Sequence, residues 1–119
     1  MGLLTVTVFT RQHKLLCAVR ADRAWRPMDV KEGVESLTGI TVIEQRLYVG
    51  DRELEDRERF TNLFPQTQAA VEVTLVRRPS EQAFWLARVS EYGLQLRLAP
   101  ERVRSDRDVV EAAVRRNWK

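Results

Sequence analysis

One cysteine, Cys17, stands in the 119 residues, so neither an internal disulfide nor a thiolate metal cluster can form within the chain. That usage fits a reducing, intracellular compartment, cytoplasmic or nuclear. No stretch approaches the roughly 20 apolar residues that a membrane span needs. Residues 1 to 9 alternate apolar with polar instead of building a charged segment followed by an apolar run, so no secretory leader is expected. Lysine is scarce: Lys14, Lys31 and Lys119 are all there is, and arginine supplies the rest of the 20 basic side chains that face 17 acidic ones. Arginine pairs in plane with carboxylate or phosphate, yet GC-rich coding sequence also favours it, and the two signs are interspersed as on an ordinary soluble surface. There is no glycine-rich phosphate loop and no zinc-ligand spacing, so neither cofactor nor metal is expected. What is present, 44% hydrophobic and 31% charged residues, suits one ordinary domain, or a small domain with an appendix.

Leu4, Val6 and Val8 alternate with Thr5, Thr7 and Phe9, the period-two pattern of a half-buried strand. Leu15, Cys17 and Val19 repeat it after the polar stretch Thr10-Arg11-Gln12-His13-Lys14, which predicts a hairpin with those three side chains inward. Pro27 suits a first helical turn, Val30, Val34 and Leu37 recur at helical spacing, and Gly39 supplies a C-cap, so a helix is expected over 27 to 38. Ile40 and Val42 read as buried connectors. Leu47 and Val49 then point inward from a third strand while Arg46 and Tyr48 point out. Phe60, Leu63 and Phe64 form a short helical turn ended by Pro65, and Val71, Val73 and Leu75 line a closing strand whose outward residues are Glu72, Thr74 and Val76.

The run Glu44-Gln45-Arg46-Leu47-Tyr48-Val49-Gly50-Asp51-Arg52-Glu53-Leu54-Glu55-Asp56, together with Val30, Lys31, Val34, Gly39, Ile40, Val71, Val73 and Leu75, resembles the ubiquitin family over about residues 3 to 78. The resemblance implies an α+β fold, a ubiquitin-like β-grasp of ββαβ order with a closing strand, occupying 1 to 78. It also implies a recognition function, with Tyr48 at the centre of a sheet-face patch, Thr74 and Glu72 on the neighbouring strand and Arg11 near the hairpin tip. Only Tyr48 keeps a large apolar group among these, so receptors of ubiquitin itself should bind poorly. Tyr48 beside Arg46 and Arg52 remains a composition common at interface hot spots. The competing expectation is that Tyr48, Phe9 and Leu16 are covered by the C-terminal helices. Val76-Arg77-Arg78-Pro79 leads into folded-looking sequence and the chain ends Asn117-Trp118-Lys119 without Gly-Gly, so conjugation to targets is not expected, and Arg52 replaces the best known chain-forming lysine.

Beyond Pro79, residues 79 to 119 read as a helical appendix of two to three helices. Ser80 can cap a helix carrying Phe84, Trp85, Leu86 and Val89 and ending near Gly93. Leu94, Leu96, Ala99 and Val103 surround a turn at Pro100. Ser105-Asp106-Arg107-Asp108 resembles a capping box opening a last helix with Val109, Val110, Ala113 and Val114. Gly93-Leu94-Gln95-Leu96, Ala99-Pro100-Glu101 and the run from Ser105 to Val114 resemble a short helical repeat of protist proteins that implies shape and no activity. Fewer than two units cannot bury their own apolar faces well, so this segment is expected to dock on the β-grasp or on a partner.

Catalysis finds little support. Cys17 and His13 could pair as nucleophile and base, but no orienting group or oxyanion donor can be named beside them. Asp51, Glu53, Glu55, Asp56 and Glu58 alternate with Arg52, Arg57 and Arg59, as self-compensating surface charge does. Arg102, Arg104, Arg107, Arg115 and Arg116 could meet nucleic acid, but Asp106, Asp108 and Glu111 interrupt them. The expectation is a non-enzymatic adaptor for protein partners, ubiquitin-pathway or proteasome components by family resemblance. The alternatives are a structural subunit of a larger assembly and, less favoured, a nucleic-acid-associated accessory.

Overall fold

The alternating N-terminal residues form β1 (Leu3–Phe9) and β2 (Leu15–Asp22) in a computed structural model that describes residues 3 to 117. The hairpin tip closes where the Thr10 N–H donates to Lys14 O at 2.8 Å and the His13 N–H to Thr10 O at 2.9 Å, with His13 at a left-handed φ of 62°. Val8 lies opposite Cys17 but Phe9 lies opposite Leu15, so Leu16 is the extra residue of a bulge. The bulge reverses the phase before it. Leu15 therefore shares the outer face with Phe9 and is 65% exposed, which corrects its expected inward placement, while Cys17 is half-buried and Val19 buried.

The helix α1 spans Pro27–Thr38, with proline at its first position and the Asp29 carboxylate accepting the Arg26 N–H at 2.9 Å. Gly39 ends it at φ 80°, its N–H donating to Glu35 O. The buried stripe is Pro27, Val30, Lys31 and Val34. Leu37, expected on that stripe, is 62% exposed, because the stripe continues through Thr38, whose hydroxyl donates to Val34 O at 2.8 Å. Lys31 meets Asp56, Nζ to Oδ1 2.7 Å, with its aliphatic stem packed inside.

Next come β3 (Gln45–Val49), β4 (Arg52–Glu53), the single turn α2 (Phe60–Leu63) and β5 (Ala70–Arg77). Ile40 and Val42, expected to be buried, are half-buried. Gly50, at φ 59°, makes the β3–β4 turn. The strand order is β2-β1-β5-β3-β4, with β1 and β5 parallel and every other pair antiparallel. Leu4, Val6 and Val8 meet Val30 and Val34 with Leu47, Val73 and Leu75 in one core. Gln45, fully buried, donates from Nε2 to Lys31 O and Ile40 O, both at 2.9 Å, and so ties β3 to the helix and the chain that follows it. This α+β arrangement is a β-grasp.

The chain divides into two compact units, Met1–Arg77 and Arg78–Lys119. The second holds α3 (Ser80–Glu91), a 3₁₀ segment (Gly93–Leu98), α4 (Glu101–Arg104) and α5 (Arg107–Asn117). Ala83, Leu86 and Val89 on α3 are buried along with Val103, Val109 and Ala113. Two expectations about capping shift by one residue. Pro79, not Ser80, precedes the first helix and no side chain caps it. Asp106, not Ser105, caps the last, its Oδ1 accepting the N–H of Asp108 at 3.0 Å and of Val109 at 3.3 Å. Of the apolar residues named for this segment, Phe84, Leu94 and Val114 are exposed. Arg78 joins Asp108 at 2.6 Å, and Arg102 pairs with Glu81, so ion pairs link segments that are distant in sequence.

A candidate protein-interaction surface on the sheet

Residues directly opposite each other on neighbouring strands project from the same face of a sheet. Tyr48 on β3 faces Thr74 on β5, Thr74 faces Phe9 on β1, and Phe9 faces Leu15 on β2. On the other side Tyr48 faces Glu53 on β4. One row therefore crosses all five strands on the face away from α1. Phe9, Thr74 and Tyr48 in its middle and Glu53 at the β4 edge are half-buried, while Leu15 at the β2 edge is exposed. Directly beneath, the inward neighbours Val8, Leu47 and Val73 are buried in the core, so the row is mounted on a rigid base.

Two ring contacts shape this face. His13 stacks on Phe9 with centroids 4.5 Å apart and planes within 7°, so the hairpin tip folds onto the row. The guanidinium of Arg46 lies 5.7 Å from the Tyr48 ring centroid and donates to both carboxylate oxygens of Glu53, at 3.1 and 2.8 Å. A bidentate, stacked arginine of this kind is held in one orientation.

Of the six side chains expected at the interface, Arg46, Tyr48 and Thr74 are brought together. Glu72, exposed, sits two residues along β5 on the same face, opposite Thr7 of β1. Arg11 lies exposed in the hairpin tip. Arg52 does not join them. It pairs across the turn with inward-facing Val49, so it projects from the other side of the ladder, where it forms an ion pair with Glu58. Glu53 takes the place beside Tyr48 that the sequence reading assigned to Arg52. A two-residue turn at Gly50 would have placed Tyr48 opposite Glu53, so that signal was legible, whereas the bulge that delivers Leu15 to the face leaves no mark in the hydrophobic pattern.

The other candidate groups are occupied differently. Burial pushes the Cys17 thiol above its ordinary pKa, the opposite of what an activated nucleophile needs, and the His13 ring is engaged with Phe9. In the acidic stretch, Glu53 is held by Arg46, Asp56 by Lys31, and Glu58 by Arg52 and the Glu55 N–H. Among the described residues no three His, Cys, Asp or Glu side chains are placed to hold a metal ion, and no helix is long and apolar enough to cross a membrane.

No protein-family model matches the chain, and no curated protein matches it in sequence. Among solved structures, a designed protein based on ubiquitin superposes with a TM-score of 0.55 at 22% identity, over 66% of this chain and 93% of the design. The fold is ubiquitin-like. The sheet face carrying Tyr48 is thus the outer face of a ubiquitin-like unit, and the likeness reaches the fold alone.

Proposed function

We propose that the ubiquitin-like unit is a protein-recognition module that works without chemistry of its own and binds partners through the row Leu15, Phe9, Thr74, Tyr48. The observation that carries this reading is the row itself: two half-exposed aromatic rings, fixed from below by the core and from the side by Arg46 and His13. Aromatic and arginine side chains held rigidly at the centre of a sheet lose little freedom on being covered, which is the composition and setting of interface hot spots. The module acts as an adaptor rather than as a conjugated tag. β5 ends at Arg77 and α3 begins at Ser80, so the last strand of the β-grasp opens into a helix instead of a narrow tail. Components of the ubiquitin and proteasome machinery are the first partners to test, on likeness of fold alone.

The test is affinity capture from cytosol with the full chain and with its Tyr48→Ala and Arg52→Ala forms, followed by titration of the recovered partner. Loss of a central aromatic should weaken binding by about thirtyfold, the equivalent of ~2 kcal/mol. Arg52→Ala, which faces away, should bind as the parent does. Undiminished binding by Tyr48→Ala and Phe9→Ala forms whose circular dichroism is intact would remove the sheet face from consideration.

A further inference from the structure

The solvent side of α3 carries aromatic rings among its polar residues. Phe84, Arg88 and Tyr92 succeed one another at four-residue spacing opposite the buried stripe of Ala83, Leu86 and Val89, with Trp85 beside them. Phe84 is 53% exposed and Tyr92 60%. Phe84 and Trp85 meet edge to face at 5.3 Å, and Arg88 lies over both, 5.5 and 6.0 Å from their centroids. Aromatic rings on the wet side of an amphipathic helix add nothing to the burial that holds it to its unit, and i, i+4 pairs such as Phe84 with Arg88 stabilise it only slightly. Exposed aromatic and arginine side chains clustered in this way mark contact surfaces.

Charge indicates what the surface would contact. Arg78, Arg102, Arg107 and Arg115 each meet a carboxylate within this unit. Arg88, Arg97, Arg104 and Arg116 meet none among the described residues; of these, Arg88 donates to Gln95 Oε1 at 3.1 Å at the α3 rings, and Arg116 to the main-chain oxygen of Glu91 at 2.8 Å. The Glu91 carboxylate itself pairs with neither. Two guanidiniums anchored to neutral groups along the C-terminal half of α3 thus keep their charge available: Arg88 beside the rings, and Arg116 of α5 at the end of the helix. We propose that this face of α3 docks a short acidic segment of a partner protein, its carboxylates on Arg88 and Arg116 and one apolar side chain against Phe84 and Trp85. A nucleic-acid strand is disfavoured because Glu81, Glu91 and Glu101 lie exposed among the arginines and break a continuous phosphate track.

The proposal is tested by selecting peptides from a random phage-displayed library on the full chain, then measuring synthetic forms of the enriched sequences by fluorescence anisotropy. Enriched sequences should combine Asp or Glu with an aromatic or aliphatic side chain. Their binding should weaken with salt and should fall by at least roughly tenfold in Arg88→Glu and in Phe84→Ser. Tyr48→Ala should leave it unchanged. Arg88→Gln, a milder change, keeps the test valid should either of the first two lose helicity. The proposal falls on any of four results: no acidic enrichment, binding unaffected by Arg88→Glu and Arg88→Gln, tighter binding of a labelled single-stranded oligonucleotide, or loss of peptide binding in Tyr48→Ala. The last of these would move the peptide to the sheet and leave the sheet-face reading standing.

Discussion

The pair Lys31 and Asp56 makes an asymmetric prediction. The Lys31 side chain is 5% exposed and that of Asp56 41%, with Nζ and Oδ1 2.7 Å apart. Replacing Asp56 by Ala strands an ammonium group under α1, and breaking a fully buried pair by removing one partner costs roughly 3 to 5 kcal/mol. Because Asp56 is partly solvated and the lysine stem can bend its head toward the opening, a loss of about 2 to 3 kcal/mol is expected for Asp56→Ala. Lys31→Met keeps the stem volume and leaves a carboxylate that is partly in water although its Oδ1 is buried, so it should cost about 1 kcal/mol, less than Asp56→Ala. The double substitution should lie within about 1 kcal/mol of the parent, a strong positive coupling. The assay is urea unfolding followed by Trp25 fluorescence in a background carrying Trp85→Phe and Trp118→Phe, so that the signal reports the first unit, where Trp25 packs against the core. The reasoning is refuted if Lys31→Met costs as much as Asp56→Ala, or if the two losses simply add.

Gly39→Ala should destabilise by about 1 kcal/mol, because φ 80° strains any residue with a Cβ although nothing lies within 4 Å of where that Cβ would be; the same urea assay measures it. Hydrogen bonds from Arg77 hold the Glu44 carboxyl below the usual carboxylate range, so the stability it lends is present above the unfolded pKa and is lost as acid carries the pH down through the lowered folded value. A carbon-detected titration of Glu44 should show a midpoint that rises in Arg77→Gln; an unmoved midpoint would break that assignment. Cys17, whose thiol burial pushes up, should react with iodoacetamide slowly at neutral pH and speed up only beyond the ordinary thiol range, and a fast neutral reaction would contradict the placement.

Where local pattern and tertiary environment agree, the chain is readable. Pro27 and Gly39 bracket α1 to the residue because each is a backbone constraint that needs no neighbours, and the alternation in β1, β3 and β5 survives because one face of each is buried. Most of the failures are failures of phase. One bulge turns Leu15 outward, a stripe that leans toward Thr38 leaves Leu37 in water, and a one-residue shift makes Asp106 the cap instead of Ser105. None of these changes composition or spacing. They depend on hydrogen bonds to particular partners, which a periodic reading does not contain. Arg52 is a different case, since the two-residue turn at Gly50 already sets it opposite Val49 and Glu53 opposite Tyr48.

The corrected register changes the energetics proposed for the sheet face. With Arg52 beside Tyr48 the patch would carry two loosely held cations that a partner must desolvate or pair. With Glu53 there instead, Arg46 is neutralised by its own carboxylate and laid toward the ring, so the charge is compensated before any partner arrives. Such a surface would gain from apolar contact and be insensitive to salt. At α3 the opposite holds: the guanidiniums of Arg88 and Arg116 meet no carboxylate among the described residues, and binding there should weaken as ionic strength rises. Salt therefore separates the two surfaces in one experiment. A complex that survives salt but not Tyr48→Ala belongs to the sheet, and one that fails in salt and in Arg88→Glu belongs to the helix.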